Sequence, residues 1–206
     1  MRRPRSIAEQ ARNAQGLLGR LVAFIMARET RGVNQRVIEA LGINRIDHVL
    51  DLGCGHGHSL TELAARAAAG HVVGVDPSEL MVEIASRRNR MLSNAARVDV
   101  VLASAESLPF PEGAFDKVLC VHVLYFWTDI GACLREIARV LKPGGRFALL
   151  FRTKNDPAAA AFPADIYRFP ALTDVAKALE GASFDVSPIK ATEPVLLLAE
   201  KRLCEI

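Results

Sequence analysis

The chain has 206 residues, half of them hydrophobic, and a net charge of +3 at neutral pH, which suffices for one well-buried domain. No stretch reaches the roughly 18 uncharged apolar residues that a membrane span needs. The apolar run Leu17 to Met26 is interrupted by Arg20 and precedes no small-residue cleavage site, so neither a spanning nor an exported segment is expected and a cytoplasmic setting is.

Residues 1 to 45 carry nine arginines and no lysine against Glu9, Glu29 and Glu39, so the basic half is the N-terminal one. Ile7, Ala11, Ala14, Leu18, Leu21, Val22 and Ile25 recur at helical spacing, which predicts one amphipathic helix from Ser6 to about Ala27 with arginines on its wet face. Three readings stand open for it: a helix docked on the sheet edge, a lid over a substrate pocket and, less favoured, an interfacial helix touching anionic lipid. Nucleic acid is not expected as a partner, because the arginines are not interleaved with aromatics.

Val49 to Leu52 reads as a buried strand that runs through Asp51 into Gly53-Cys54-Gly55-His56-Gly57-His58-Ser59. The glycines allow a tight turn close to a ligand, and Ser59 with Glu62 predicts a capping box on the next helix. The dinucleotide fingerprint needs G-x-G-x-x-G, and this loop has G-x-G-x-G, so the NAD pattern fails at its third glycine. A carboxylate at such a loop suits a ligand carrying an ammonium group or hydroxyls, as the amino-acid end of S-adenosyl-L-methionine does. Here the chain resembles the class I methyltransferases that use that cofactor, whose first motif has the form acid-x-G-x-G-x-G.

Val72 to Val75 is a second apolar run ending in an acid, Asp76, at the offset where a carboxylate grips a ribose. Alone, Asp76 would read as a turn residue before Pro77 with Ser78 capping the next helix; beside the glycine loop the ribose reading is the stronger. A third segment runs strand (Val100 to Leu102), loop (Ala103 to Pro111), strand (Phe115 to Val121). In the resembling family this loop follows the adenine edge and carries an acid where Ser104 stands here, which leaves adenine recognition to Ser104, the backbone near Ala105, and Glu106. The resemblance completes the expected cofactor contacts with Cys54, His58, Met81, Pro77, Val121 and His122.

An amphipathic helix from Ile130 to Leu141 ends in Lys142-Pro143-Gly144-Gly145, a structural turn in which the glycines take left-handed geometry and the lysine complements the helix carbonyls. A fifth buried strand follows. The four motifs stand in the family's order across residues 49 to 150. Beyond them, Arg152 to Pro170 reads as a long loop able to wall the substrate site. A helix near Thr173 to Glu180 and strands near Phe184 to Ile189 and Val195 to Lys201 close the chain, the last two as an antiparallel hairpin.

The fold expected is therefore α/β: a Rossmann-like seven-stranded sheet with helices on both faces, an antiparallel C-terminal hairpin and an N-terminal helical cap. One domain is expected over 1–206, with a basic cap at 1–45, a cofactor-binding core at 46–151 and a substrate-side loop with the last strands at 152–206. Cys54, Cys120, Cys133 and Cys204 have no metal-ligand spacing and read as buried free thiols, so no metal is expected.

Methyl transfer from a sulfonium needs chiefly in-line positioning, so a base is optional. The candidate base is His122, just past the fourth strand, weighed against a histidine that only packs beside the cofactor. Tyr125, a second catalytic candidate, forms with Phe126 and Trp127 an aromatic wall. The expected activity is methyl transfer to the nitrogen or oxygen of a small, partly apolar molecule. The alternatives are a nicotinamide-dependent oxidoreductase and a non-catalytic cofactor-binding module.

Overall fold

The computed structural model describes residues 3–91, 97–187 and 192–203, with residues 23–31 described through their backbone alone. Seven strands, β1 (His48–Leu52), β2 (His71–Asp76), β3 (Val98–Leu102), β4 (Phe115–Val121), β5 (Leu141–Phe151), β6 (Phe184–Val186) and β7 (Val195–Lys201), form one sheet in the order β3-β2-β1-β4-β5-β7-β6. β7 runs antiparallel to both its neighbours, and the pairs among β1 to β5 are parallel.

The central strands read as unbroken apolar runs because both faces are covered. Leu50, Val118 and Leu149 point to one core, shared with Leu134 and Ile137 of α5 (Ile130–Val140) and Val175 and Leu179 of α6 (Leu172–Gly181). Their neighbours Val49, Leu119 and Ala148 point to the other, with Ile38 and Leu41 of α2 (Gly16–Leu41) and Leu60 and Leu63 of α3 (His58–Arg66). Strand order reverses between β1 and β4, and at the carboxyl ends of such strands an open α/β sheet places its ligand.

Several expectations are corrected. The N-terminal helix is two helices, α1 (Arg5–Arg12) and α2, because the chain turns at Asn13 to Gln15. The Gln10 side-chain oxygen accepts the Gln15 N–H at 2.7 Å, a local bond that competes with helix continuation. Ala8, Ala14 and Val22 are buried, whereas Leu18 and Leu21 lie on the outside; Ile25 is outside the described side chains. The capping box at Ser59 does not form: Gly57 is the residue before α3, and the Ser59 hydroxyl donates to Asp51 instead.

Lys142 does not complement helix carbonyls but bonds Asp116 at 2.6 Å. β5 begins at Leu141 directly after α5, since Leu141 pairs with Phe115 before the register shifts and the Lys142–Gly145 turn bulges from the strand. β6 ends at Val186, and its expected extension to Ile189 lies outside the described residues, as does Cys204. Cys54, Cys120 and Cys133 are buried free thiols as expected. Ser78 caps α4 (Glu79–Arg90), accepting the Met81 N–H at 3.3 Å.

Candidate active site

After β1 the glycine loop folds back on β2, with the Gly53 and Cys54 amides donating to Val75 O at 2.8 and 3.0 Å. Gly53 has φ +78°, and a Cβ there would stand 2.2 Å from Val123 Cγ2, so the loop abuts the end of β4 and leaves no room for a side chain. A Cβ on Gly57 would meet Ala85 of α4 at 2.8 Å. Gly57 thus serves helix packing and is absent from the cavity wall.

Both acids stand where the strands end. Asp51 is 4% exposed and accepts a hydrogen bond from the Ser59 hydroxyl; burial pushes its carboxyl up to about 7, against the pull of that bond, with the Asp76 charge adding to the rise. Asp76 accepts the Gly55 N–H at 2.9 Å and the Ser78 N–H at 3.0 Å, and burial raises its carboxyl against these two bonds. Two buried carboxylates flanking one loop favour a ligand that brings a positive charge and hydroxyl donors.

The loop after β3 is held from α5. Arg139 donates to Phe110 O at 2.8 Å and Leu108 O at 3.0 Å, and Glu136, itself bonded to Arg139, accepts the Leu108 N–H at 2.8 Å. This clamp sets the position of Ser104, Ala105 and Glu106. It is readable in the sequence only as an i,i+3 Glu–Arg pair. On the opposite side, Ser78 donates to Ala14 O at 2.8 Å, tying the α1–α2 turn over the second acid.

His122 follows β4 with φ +59°, its N–H bonded to Leu150 O at 2.8 Å. Its Nδ1 lies 2.8 Å from the Tyr125 hydroxyl, which also accepts the Arg152 N–H at 2.7 Å. Burial, reinforced by the Arg152 guanidinium, pushes His122 down to about 4, so the ring is neutral at neutral pH. Burial likewise raises Tyr125.

These parts enclose a cavity of about 380 Å³. Its wall brings together the expected Asp51, Gly53, Cys54, Gly55, His58, Asp76, Pro77, Met81, Ser104, Ala105, Glu106, Val121 and His122. Tyr125 is not in the wall: it is buried behind His122, in ring contact with Phe169 at 4.8 Å and Tyr167 at 5.8 Å. The Arg152 to Pro170 segment therefore backs the aromatic layer and contributes no lining residue of its own, contrary to its expected role as a wall.

The wall also holds residues that carry no sequence motif: Gln10 of α1, Asn13 and Ala14 of the α1–α2 turn, and Asn34 of α2. Asn34 Oδ1, His56 Nε2 and Trp127 Nε1 are buried polar atoms without a hydrogen-bond partner among the described residues, and all three residues line this cavity. Orphaned polar atoms gathered around one space are what a site built for a polar ligand shows. The Asn34 and Gln10 positions carry no motif, so no sequence signal marked them. Among the described residues no group of histidine, cysteine and acidic side chains could hold a metal ion.

Residues 50–149 match the family model described as a methyltransferase domain. The chain is 33% identical over 139 residues to the uncharacterized methyltransferase YdaC of Bacillus subtilis, covering 68% of this chain and 75% of that protein. It is 41% identical over 109 residues to the demethylmenaquinone methyltransferase of Symbiobacterium thermophilum, covering 52% of this chain and 43% of the other. A solved structure of a SAM-dependent methyltransferase from Aquifex aeolicus superposes with a TM-score of 0.69 at 23% identity, over 81% of this chain and 87% of that one, which shows the shared fold.

Proposed function

The chain belongs to the class I S-adenosyl-L-methionine-dependent methyltransferases, and from that membership we propose that it methylates the nitrogen or oxygen of a small, partly apolar molecule by in-line displacement. The observation that carries the reading is the single cavity on which Asp51, Asp76, the Ser104–Glu106 loop and His122 all face. Orphaned polar atoms and two buried acids in that wall fit the cofactor's ammonium, hydroxyls and adenine.

Asp51 and the glycine loop, with Cys54, Gly55 and His58, would hold the amino-acid end. Asp76 and Pro77 would hold the ribose, its carboxylate already fixed by two backbone amides. Met81, Ser104, Ala105 and Glu106 would flank the adenine, leaving Val121 and His122 beside the reacting centre. The bound cofactor supplies the electrophilic methyl of its sulfonium. The protein's part is orientation and exclusion of water, and such positioning lowers a barrier by roughly 7–11 kcal/mol.

Support for an apolar acceptor comes from the Leu119, Val123 and Phe126 side of the wall and from the quinone acted on by the Symbiobacterium relative. We read residues 1–45 as a basic helical cap, with the end of α1 and the Asn13–Gln15 turn as a lid on the cavity. Residues 46–151 would form the cofactor core, and 152–206 the substrate-side loop and C-terminal strands, with Phe162, Tyr167 and Phe169 of that loop backing the aromatic wall. The exposed Leu17, Leu18 and Leu21 keep a peripheral lipid contact open as a second property of that cap. A cytoplasmic setting without a nucleic-acid partner completes the reading. The nicotinamide alternative is set aside by the family membership.

The test is incubation of the purified chain with methyl-labelled cofactor and a fractionated cell extract. Label in a low-molecular-weight, organic-soluble product is expected. Cofactor binding without label transfer to any fraction would favour the non-catalytic module.

A further inference from the structure

The Tyr125–His122 contact decides which nitrogen of His122 carries the proton. The Arg152 backbone N–H can only donate, and it donates to the Tyr125 oxygen at 2.7 Å. With its oxygen already accepting there, the Tyr125 hydroxyl has its own proton to give to His122 Nδ1, 2.8 Å away. In that arrangement Nδ1 accepts and the neutral imidazole carries its proton on Nε2.

No hydrogen bond engages Nε2 among the described residues, and His122 lines the cavity. The residue is held in the left-handed region at φ +59°, a conformation disfavoured for side-chain-bearing residues that persists where surrounding structure enforces it. In the same wall stands Trp127, 4% exposed, its indole N–H without a partner among the described residues. A buried donor left unpaired carries its full desolvation cost until a ligand supplies an acceptor.

We propose that His122 Nε2–H and Trp127 Nε1–H form a donor subsite that takes an oxygen of the methyl acceptor, a carbonyl or an ionised hydroxyl, with Tyr125 as the positioning residue that fixes the His122 tautomer. The proposal rests on the methyltransferase reading and narrows its acceptor to an oxygen-bearing, otherwise apolar molecule. It also replaces the base role expected of His122, since a nitrogen that already carries a proton has no lone pair with which to remove one. A protonated amine is disfavoured by the same two donors.

Trp127 is the chain's only tryptophan, so its indole N–H gives one resonance, and nitrogen spectra of the His122 ring, assigned by difference from His122→Asn, report the tautomer. The full chain saturated with S-adenosylhomocysteine, which has no methyl to transfer, is titrated with 1-tetralone and with its hydrocarbon counterpart tetralin. Expected are an Nε2–H tautomer before any ligand is added and an indole N–H shift with tetralone alone. Tetralone should be preferred by about threefold to tenfold for each donor engaged.

His122→Asn, a residue type tolerant of left-handed backbone, should erase most of that preference, and Tyr125→Phe should mix the tautomers. An Nδ1–H tautomer, equal affinity for the two probes or no response to tetralone overturns the proposal. So does an indole shift produced by S-adenosylhomocysteine in place of tetralone. Failure to bind S-adenosylhomocysteine would instead strike the methyltransferase reading, and the tautomer, recorded without it, would still report on the Tyr125–His122 pair.

Discussion

The Ser59 hydroxyl donates to the carboxylate of Asp51, both groups buried, at the junction of the first strand and the helix that follows the glycine loop. The serine reads in the sequence as a helix cap and serves instead, from inside α3, to satisfy a buried acid. The site's first polar contact is thus internal to the chain, with the remaining acceptor capacity of the carboxylate left for a ligand.

That acid gives cofactor binding a pH dependence. Burial holds Asp51 at about 7, above the ordinary carboxylate value of 3.8. Between these two values the folded chain without ligand keeps a proton that the unfolded chain has lost, so its stability falls as pH rises through that window. An ammonium-bearing ligand prefers the ionised form. S-adenosylhomocysteine should therefore release a proton on binding at about pH 6 and bind up to about tenfold more weakly there than at about pH 8. Calorimetry in two buffers of different ionisation enthalpy reads the proton, and Asp51→Asn should abolish its release.

Two glycines of the loop separate strain from collision. Gly55 has φ +54° and open space where a Cβ would stand, so Gly55→Ala should cost only the left-handed conformation, about 1–2 kcal/mol. Gly53→Ala adds the collision with Val123 and should cost about 2–5 kcal/mol. Adding Val123→Ala to it should reduce the collision while leaving the backbone cost, a difference visible in urea unfolding.

The α5 clamp should matter to both fold and site. Arg139→Ala strips donors from Leu108 O and Phe110 O and frees Glu136, for an expected loss of about 1.5–3 kcal/mol, with weaker S-adenosylhomocysteine binding through the displaced Ser104–Glu106 loop. Arg87→Ala, which removes an exposed pair with Glu83, is the control and should stay within about 1 kcal/mol of the parent.

The side of the cavity built from Asp51, the glycine loop and Asp76 is legible in the sequence because its determinants are local. Parallel strands buried on both faces read as apolar runs, and Asp51 and Asp76 follow from their places at the strand ends. What escaped was set by tertiary competition. The apolar period continues through Asn13 to Gln15, so nothing in it marks the break that Gln10 stabilises. Trp127 sits in a turn without periodicity, and the aromatics of the Arg152 to Pro170 segment read as a wall because nothing local in the sequence marks Tyr125 as their packing partner. Lys142 found Asp116 because the strand pairing brings them together from 26 residues apart.

The most direct measurement is calorimetric titration of the purified chain with S-adenosylhomocysteine, beside NADH and the Asp76→Ala variant. Asp76 holds the Gly55 and Ser78 amides and faces the cavity, so the expected result is saturable binding that Asp76→Ala weakens by about tenfold or more while a cooperative unfolding transition remains. No heat with S-adenosylhomocysteine, or saturable binding of NADH in its place, would contradict the assignment of this cavity to the methyl donor.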